Sequence, residues 1–221
     1  MTERIVIIGA GGFGRETLDV LEASIADGAD RELVGIVDSG PRELDLGRLR
    51  DRGITYLGTE ETWLPLADGD ERYVVAIGSP AVRRAVSARF AAAGLDAATL
   101  VHPCAVVGSR ARIGAGVVIA SGAQVSTNVG IGDHVHLNPG SIVGHDAELA
   151  DFVSVNPGAV VSGNVVVETG VLLGAGSVVL QGLTVGAGAT VGAAACVTKD
   201  VASQTTVVGV PARVLGGVDP S

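Results

Sequence analysis

Two adjacent residues near the middle of the chain, His145 and Asp146, have the types that proton transfer needs. An imidazole takes a proton near neutral pH, and a neighbouring carboxylate raises its basicity and orients the ring. Adjacent strand residues point to opposite faces, so this pair can meet only where the chain turns a corner. His134 and His136 lie close by, but no Asp, Glu or Cys stands at ligand spacing to them. They read as solvent-exposed polar residues, and no metal is expected. Cys104 and Cys196 form no ligand spacing either and read as reduced thiols of a cytoplasmic protein. Cys196, beside an inward Val197, reads as buried rather than nucleophilic.

The element that must hold His145 is set by a period of six. An aliphatic residue falls at sixteen consecutive positions six residues apart, from Val107 to Val197, and Val101 extends the series backward. No α-helix keeps a period of six on one face, because its turn is about 3.6 residues. A tandem period of six is the hexapeptide repeat of a parallel β-helix. Three hexapeptides make one triangular coil of eighteen residues, and coils stack at about 4.8 Å as parallel strands do. The aliphatic residue points inward. The residue after it, small at most steps (Gly108, Gly114, Ala120, Ser126), is expected to turn the corner through dihedrals that Gly, Asn or Ala tolerate. Eighteen residues after His145 is Gly163, whose backbone is expected one coil away, beside the imidazole. Eighteen after His136 is Ser154. Asn138-Pro139-Gly140 recurs as Asn156-Pro157-Gly158 at the same interval and reads as a structural ladder.

A second centre of chemistry lies at the start. The apolar run Ile5-Val6-Ile7-Ile8 reads as a buried parallel strand, followed by Gly9-Ala10-Gly11-Gly12-Phe13-Gly14 and a helical pattern through Leu18, Leu21 and Ile25. Gly9, Gly11 and Gly14 fit G-x-G-x-x-G, where glycines let the backbone approach a phosphate at a helix N-terminus. A second strand, Leu33 to Val37, ends in Asp38, which can accept hydrogen bonds from a ribose or a base. A third, Tyr73 to Ile77, ends in Gly78-Ser79-Pro80. About a hundred residues is too short for the two halves that grip a dinucleotide, which sets aside a nicotinamide-dependent oxidoreductase. A mononucleotide or nucleotide-sugar fits better. The charged, Gly-rich stretch from Asp38 to Trp63 reads as surface connections with a short helix, and no chemistry is drawn from it.

Composition limits the partners. A net charge of −9 and only 3% aromatic residues argue against nucleic acid. No apolar run approaches membrane-spanning length, and no secretory signal precedes the first strand, so no membrane is expected. The expected fold class is an α/β Rossmann-like domain (1–100, nucleotide-sugar-binding) followed by a left-handed parallel β-helix of hexapeptide repeats (101–215) and a tail (216–221).

The chain resembles the bacterial sugar O-acyltransferases of the sialic acid O-acetyltransferase type, which include N-acetyltransferases of UDP-, GDP- or dTDP-linked 4-amino-sugars. The residues that carry the likeness are Ile7 to Gly14, Ala76-Ile77-Gly78-Ser79 with Arg83, Val143-Gly144-His145-Asp146, Val197 to Val201 and Val207 to Val214. The resemblance implies a homotrimer with active sites between neighbouring prisms, and direct acyl transfer from acetyl-CoA. It makes His145 the general base, Asp146 its orienting acid, and the Gly163 amide a donor to the developing oxyanion. It puts the nucleotide-sugar on Gly12, Phe13, Gly14, Asp38, Gly78 and Ser79. It puts acetyl-CoA on Ser154 and on the backbone of Ala175 and Ala193. Some relatives carry Glu at Asp146 and His at Ser154, and relatives often carry His at Phe13. The expected function is acetyl transfer to the amine of a nucleotide-linked amino-sugar. The alternatives are O-acetylation of a free sugar such as sialic acid, and a non-catalytic trimeric scaffold.

Overall fold

The computed structural model describes residues 2–216; the expected tail, apart from Gly216, lies outside the described residues. The chain divides between Pro103 and Cys104 into two compact units.

The first unit is a five-stranded parallel sheet. Its strands are β1 (Glu3–Ile8), β2 (Arg31–Val37), β3 (Tyr56–Gly58), β4 (Glu71–Val75) and β5 (Asp96–Ala97), in the order β3-β2-β1-β4-β5. Ile5 to Ile8 are at most 1% exposed, which is why this strand reads as an unbroken apolar run. The helices are α1 (Gly12–Ala26), α2 (Glu43–Asp51), α3 (Glu60–Trp63) and α4 (Pro80–Ala92). The stretch from Asp38 to Trp63 is therefore more than surface connection: it carries α2, β3 and α3. Trp63 closes it onto the core, its ring stacked on Phe90 at 6.1 Å, and Phe90 also packs against the Tyr73 ring at 5.2 Å. Strand order reverses beside β1, whose neighbours β2 and β4 follow it by opposite turns. Ligands of open α/β sheets bind outside the strands' carboxyl ends at such a point.

The second unit is a left-handed parallel β-helix with three walls of two-residue strands. One wall stacks Val106–Val107, Gln124–Val125, Ile142–Val143, Val160–Val161, Val178–Val179 and Cys196–Val197. A second runs from Arg112–Ile113 to Thr184–Val185. The third runs from Val118–Ile119 through His136–Leu137 and Ser154–Val155 to Thr206–Val208, which pairs antiparallel with Arg213–Val214. Every register is eighteen residues from Val106 to Val197, as the period requires.

The corners are turned differently from the expectation. The residue with left-handed dihedrals is the third after each inward aliphatic from Val107 to Val191, not the first. Along one edge these are Arg110, Asn128, Asp146, Asn164 and Gly182, with φ from 58 to 70°. The residue directly after the aliphatic is small for another reason: the next coil is too close. A methyl on Gly144 would lie 2.6 Å from the Gly163 nitrogen.

The prism also holds a second inward series, two residues before each aliphatic. Val117, Ala123, Val129, Val135, Ser141, Ala147, Val153, Ala159, Val165, Val171, Ser177, Ala189 and Ala195 are all fully buried. The hydroxyls of Ser141 and Ser177 have no hydrogen-bond partner there. A buried hydroxyl left without a partner carries its desolvation cost, and alanine fills the same place elsewhere in the series. Replacing Ser141 or Ser177 with Ala is expected to stabilise the protein by about 1 kcal/mol, read as a higher denaturant midpoint. A lower midpoint would mean that the hydroxyl is bonded in solution.

Among the described residues no helix is long and apolar enough to cross a membrane. Cys104 is exposed and Cys196 half-buried, and both are free thiols. The half-exposed Cys196 precedes the inward Val197 on its strand, which turns its side chain away from the core.

Candidate active site

The edge of the prism that carries His145 is built by its own repeat. Val143 anchors the turn from inside, fully buried. Asp146 then takes φ 59°, and this left-handed step brings its carboxylate back to its neighbour. The His145 Nδ1 to Asp146 Oδ2 distance is 2.7 Å. The corner conformation that an adjacent His–Asp pair requires is thus present. One coil below, Asn128 Nδ2 donates to Asp146 Oδ1 at 3.1 Å. Asn128 was not foreseen; its signal was the eighteen-residue step Asn128, Asp146, Asn164 on one edge.

Two donors hold the Asp146 carboxyl below its ordinary value: first the His145 bond, then the Asn128 bond. An ionised Asp146 accepts only, so the proton between the two side chains sits on His145 Nδ1. Nε2 is then the ring's basic nitrogen. Both side chains are open to solvent, at 59% and 45% exposure, so a substrate can reach them.

Gly163 lies one coil above His145, where the spacing placed it. A methyl at Gly163 would stand 2.6 Å from both Cε1 and Nε2 of the imidazole, so the ring lies against this glycine. The Gly163 amide has no hydrogen-bond acceptor among the described residues, and the same holds for Ala175 and Ala193. At the equivalent turn of another edge, carboxylates take such amides: Asp133 Oδ1 accepts from Ala115, Asp151 Oδ1 from Asp133, and Glu168 Oε2 from Ala187.

Not all of the expected site residues come together in one chain. His145, Asp146 and Gly163 share one edge. Ala175 and Ala193 share a different edge, one coil apart in the series that starts at Pro139 and Pro157. Ser154 is on the third wall, 2% exposed, in register with His136. His136 and His134 are 1% and 9% exposed, which corrects the expectation of solvent-exposed histidines. His134 occupies a left-handed corner, and its ring stacks on Phe152 of the next coil at 5.1 Å. The Asn ladder is structural as expected, with Asn138 Nδ2 donating to Val155 O at 3.0 Å and Asn156 Oδ1 at 3.3 Å. Among the described residues, no group of three or more His, Cys, Asp or Glu is placed to hold a metal.

In the first unit, a cavity of about 630 Å³ opens at the carboxyl edge of the sheet. Asp38 lines it, each oxygen already accepting a backbone amide, from Ala10 at 2.7 Å and Gly40 at 2.8 Å. It therefore ties the glycine-rich loop to the end of β2. Gly12, Phe13 and Gly14 open α1, and Gly78 and Ser79 precede α4, with the Ser79 hydroxyl at its N-cap. These five stand around the loops and do not line the cavity; Gly9, Ser39, Glu60, Glu61, Ile77 and Arg89 do. Beneath the second loop, the buried Arg83 donates to the Ile77 carbonyl at 2.8 Å. Burial lowers its pKa to about 9, which leaves the guanidinium charged at neutral pH.

Among solved structures, perosamine N-acetyltransferase from Caulobacter crescentus, in complex with CoA and GDP-perosamine, is 30% identical to this chain. The match covers 98% of this chain and 99% of that one, with a TM-score of 0.88. The chain belongs to this family of nucleotide amino-sugar N-acetyltransferases. The acetyltransferase domain of PglB from Neisseria gonorrhoeae is a second such relative, 31% identical over 96% of this chain and all of that one, with a TM-score of 0.84. Residues 4–90 match the PglD N-terminal domain. The UDP-N-acetylbacillosamine N-acetyltransferase of Bacillus subtilis is 30% identical over 117 residues, 53% of this chain. That match spans about half of the curated relative, 51% of its length.

Proposed function

We propose that this chain transfers an acetyl group from acetyl-CoA to the amine of a nucleotide-linked amino-sugar, and that it works as a cytoplasmic homotrimer. The observation that carries the reading is the His145–Asp146 pair, set on an open edge with Nε2 against Gly163. The family's members support the substrate class, and the cavity at the sheet edge has the size of a small-molecule site. The two free thiols fit a reducing compartment.

In the reaction, the sugar amine attacks the thioester carbonyl and a C–N bond forms. The amine's proton passes to His145 Nε2, while the Nδ1 proton stays bonded to Asp146. The Gly163 amide donates to the oxyanion, the C–S bond breaks, and the CoA thiolate leaves and recovers a proton from the imidazolium. The amides of Ala175 and Ala193 hold the pantetheine arm, while Ser154, buried on the third wall, backs that wall. These residues stand on other faces of the prism from His145, so a neighbouring copy's edge completes each site; this is the argument for the trimer. The diphosphate rests on the amides of Gly12, Phe13 and Gly14 at the α1 N-terminus, and Asp38, Gly78 and Ser79 shape the loops that hold the nucleoside.

The test is a panel of UDP-, GDP- and dTDP-linked 4-amino-sugars with acetyl-CoA, read as released thiol. Thiol release with at least one nucleotide amino-sugar is expected. Release only with free sialic acid would replace this reading by sugar O-acetylation, and no acetyl-CoA binding at all would leave a scaffold.

A further inference from the structure

We propose that the cavity of the first unit selects guanine, and that Glu61 is the residue that reads it. The inference rests on the nucleotide-sugar reading above and adds the base. The cavity has two kinds of wall. Leu64 of the turn after α3, with Ile77, Val82 and Val86 at and in α4, makes an apolar side on which a purine can lie. Glu60, Glu61 and Arg89 make the polar side.

The polar groups are not equivalent. Asp38 is bonded to two amides, as described. Glu60 is 8% exposed, and its Oε2 accepts from Arg89 Nε at 2.6 Å. Glu61 is exposed and makes no hydrogen bond or ion pair among the described residues. It is close enough to Arg89 to raise the pKa of that guanidinium, after the larger effects of Glu60. The cavity therefore presents one free carboxylate beside one anchored guanidinium.

Base edges differ in how they meet that pair. Guanine offers two adjacent donors, N1–H and N2–H, to one carboxylate, and its O6 acceptor comes next, where a guanidinium can donate. Uracil and thymine offer one N–H between two carbonyls, so a carboxylate bonded to N3–H puts its second oxygen against a carbonyl. Cytosine and adenine offer one amine beside a ring-nitrogen acceptor. Only guanine satisfies both oxygens of Glu61 at once. A site built to hydrogen-bond its ligand rejects analogues that leave its polar groups unpaired.

The test is calorimetric titration of the full chain with GDP, UDP, dTDP and CDP, and with acetyl-CoA as a separate ligand. The intact protein is expected to bind GDP at least about tenfold tighter than the other three, a modest value for a two-bond discrimination. In Glu61→Gln the amide NH₂ opposes one guanine donor, so GDP affinity is expected to fall about tenfold and the preference to disappear. Acetyl-CoA affinity is expected to be unchanged, which reports an intact fold. UDP, dTDP or CDP binding as tightly as GDP to the intact protein, or a Glu61→Gln protein with its GDP preference intact, would overturn the inference and leave the nucleotide reading standing. Acetyl-CoA binding with no nucleotide binding would remove both.

Discussion

His145→Ala is expected to lower kcat by about 10² to 10⁴, the usual contribution of a positioned general base. Acetyl-CoA binding and the thermal midpoint are expected to stay where they are. The side chain is 59% exposed and supports no core contact, so its loss removes chemistry without opening a cavity. The position keeps its backbone bond, from the Asn164 amide to the His145 carbonyl at 2.9 Å, whatever the side chain. Asp146→Asn is expected to have a smaller effect, because the ring keeps its basic nitrogen but loses the anion that fixes its proton on Nδ1. The pH dependence follows from the depressed Asp146 carboxyl. A depressed carboxyl contributes its interaction above its ordinary pKa, near 4, and loses it as pH falls through the lowered value. The pair is therefore intact across neutral pH, and acid weakens it only below about pH 4. Full turnover by His145→Ala with saturating substrates would end the general-base assignment.

How much of this was readable before the structure depends on which physics sets each feature. The prism was legible because its core repeats: one aliphatic residue per hexapeptide fixes the coil at eighteen residues, and that number alone put Gly163 against His145. The second inward series was in the sequence too, as Ala, Ser or Val at every sixth position, but small residues carry a weaker signal than Val or Ile. Which residue turns the corner was misassigned because two constraints, close approach of the next coil and left-handed dihedrals, both favour glycine. His134 and His136 looked exposed because polarity was the only guide; the stacking of His134 on Phe152 is a contact between coils. In the first unit the glycine-rich loop was legible as a motif. The cavity was not, since Glu60 and Glu61 lie on α3 and Arg89 on α4, and only the crossover from β3 through β4 to α4 brings them together. A charged stretch between strands carries no local mark that separates a binding wall from a solvated loop.

Gly163→Ala is expected to lower kcat/KM by about a hundredfold, the scale on which a displacement of about 1 Å acts. The added methyl would overlap Cε1 and Nε2, the part of the ring that takes the proton. The backbone does not resist the change, because Gly163 is not among the residues of positive φ. The imidazole is the mobile partner: it is solvent-open and can swing away, and in doing so it leaves its bond to Asp146 and its line to the substrate. The fold should therefore survive and the chemistry should not. Gly144→Ala on the same edge supplies the contrast, since its methyl would meet the Gly163 nitrogen and the Ser162 carbonyl carbon, which are backbone and cannot swing. That variant is expected to lose thermal stability by separating two coils, at a cost of about 1–3 kcal/mol typical of overpacking. Equal thermal losses in the two variants, or a Gly163→Ala enzyme of normal activity, would show that the imidazole does not work from its place against Gly163.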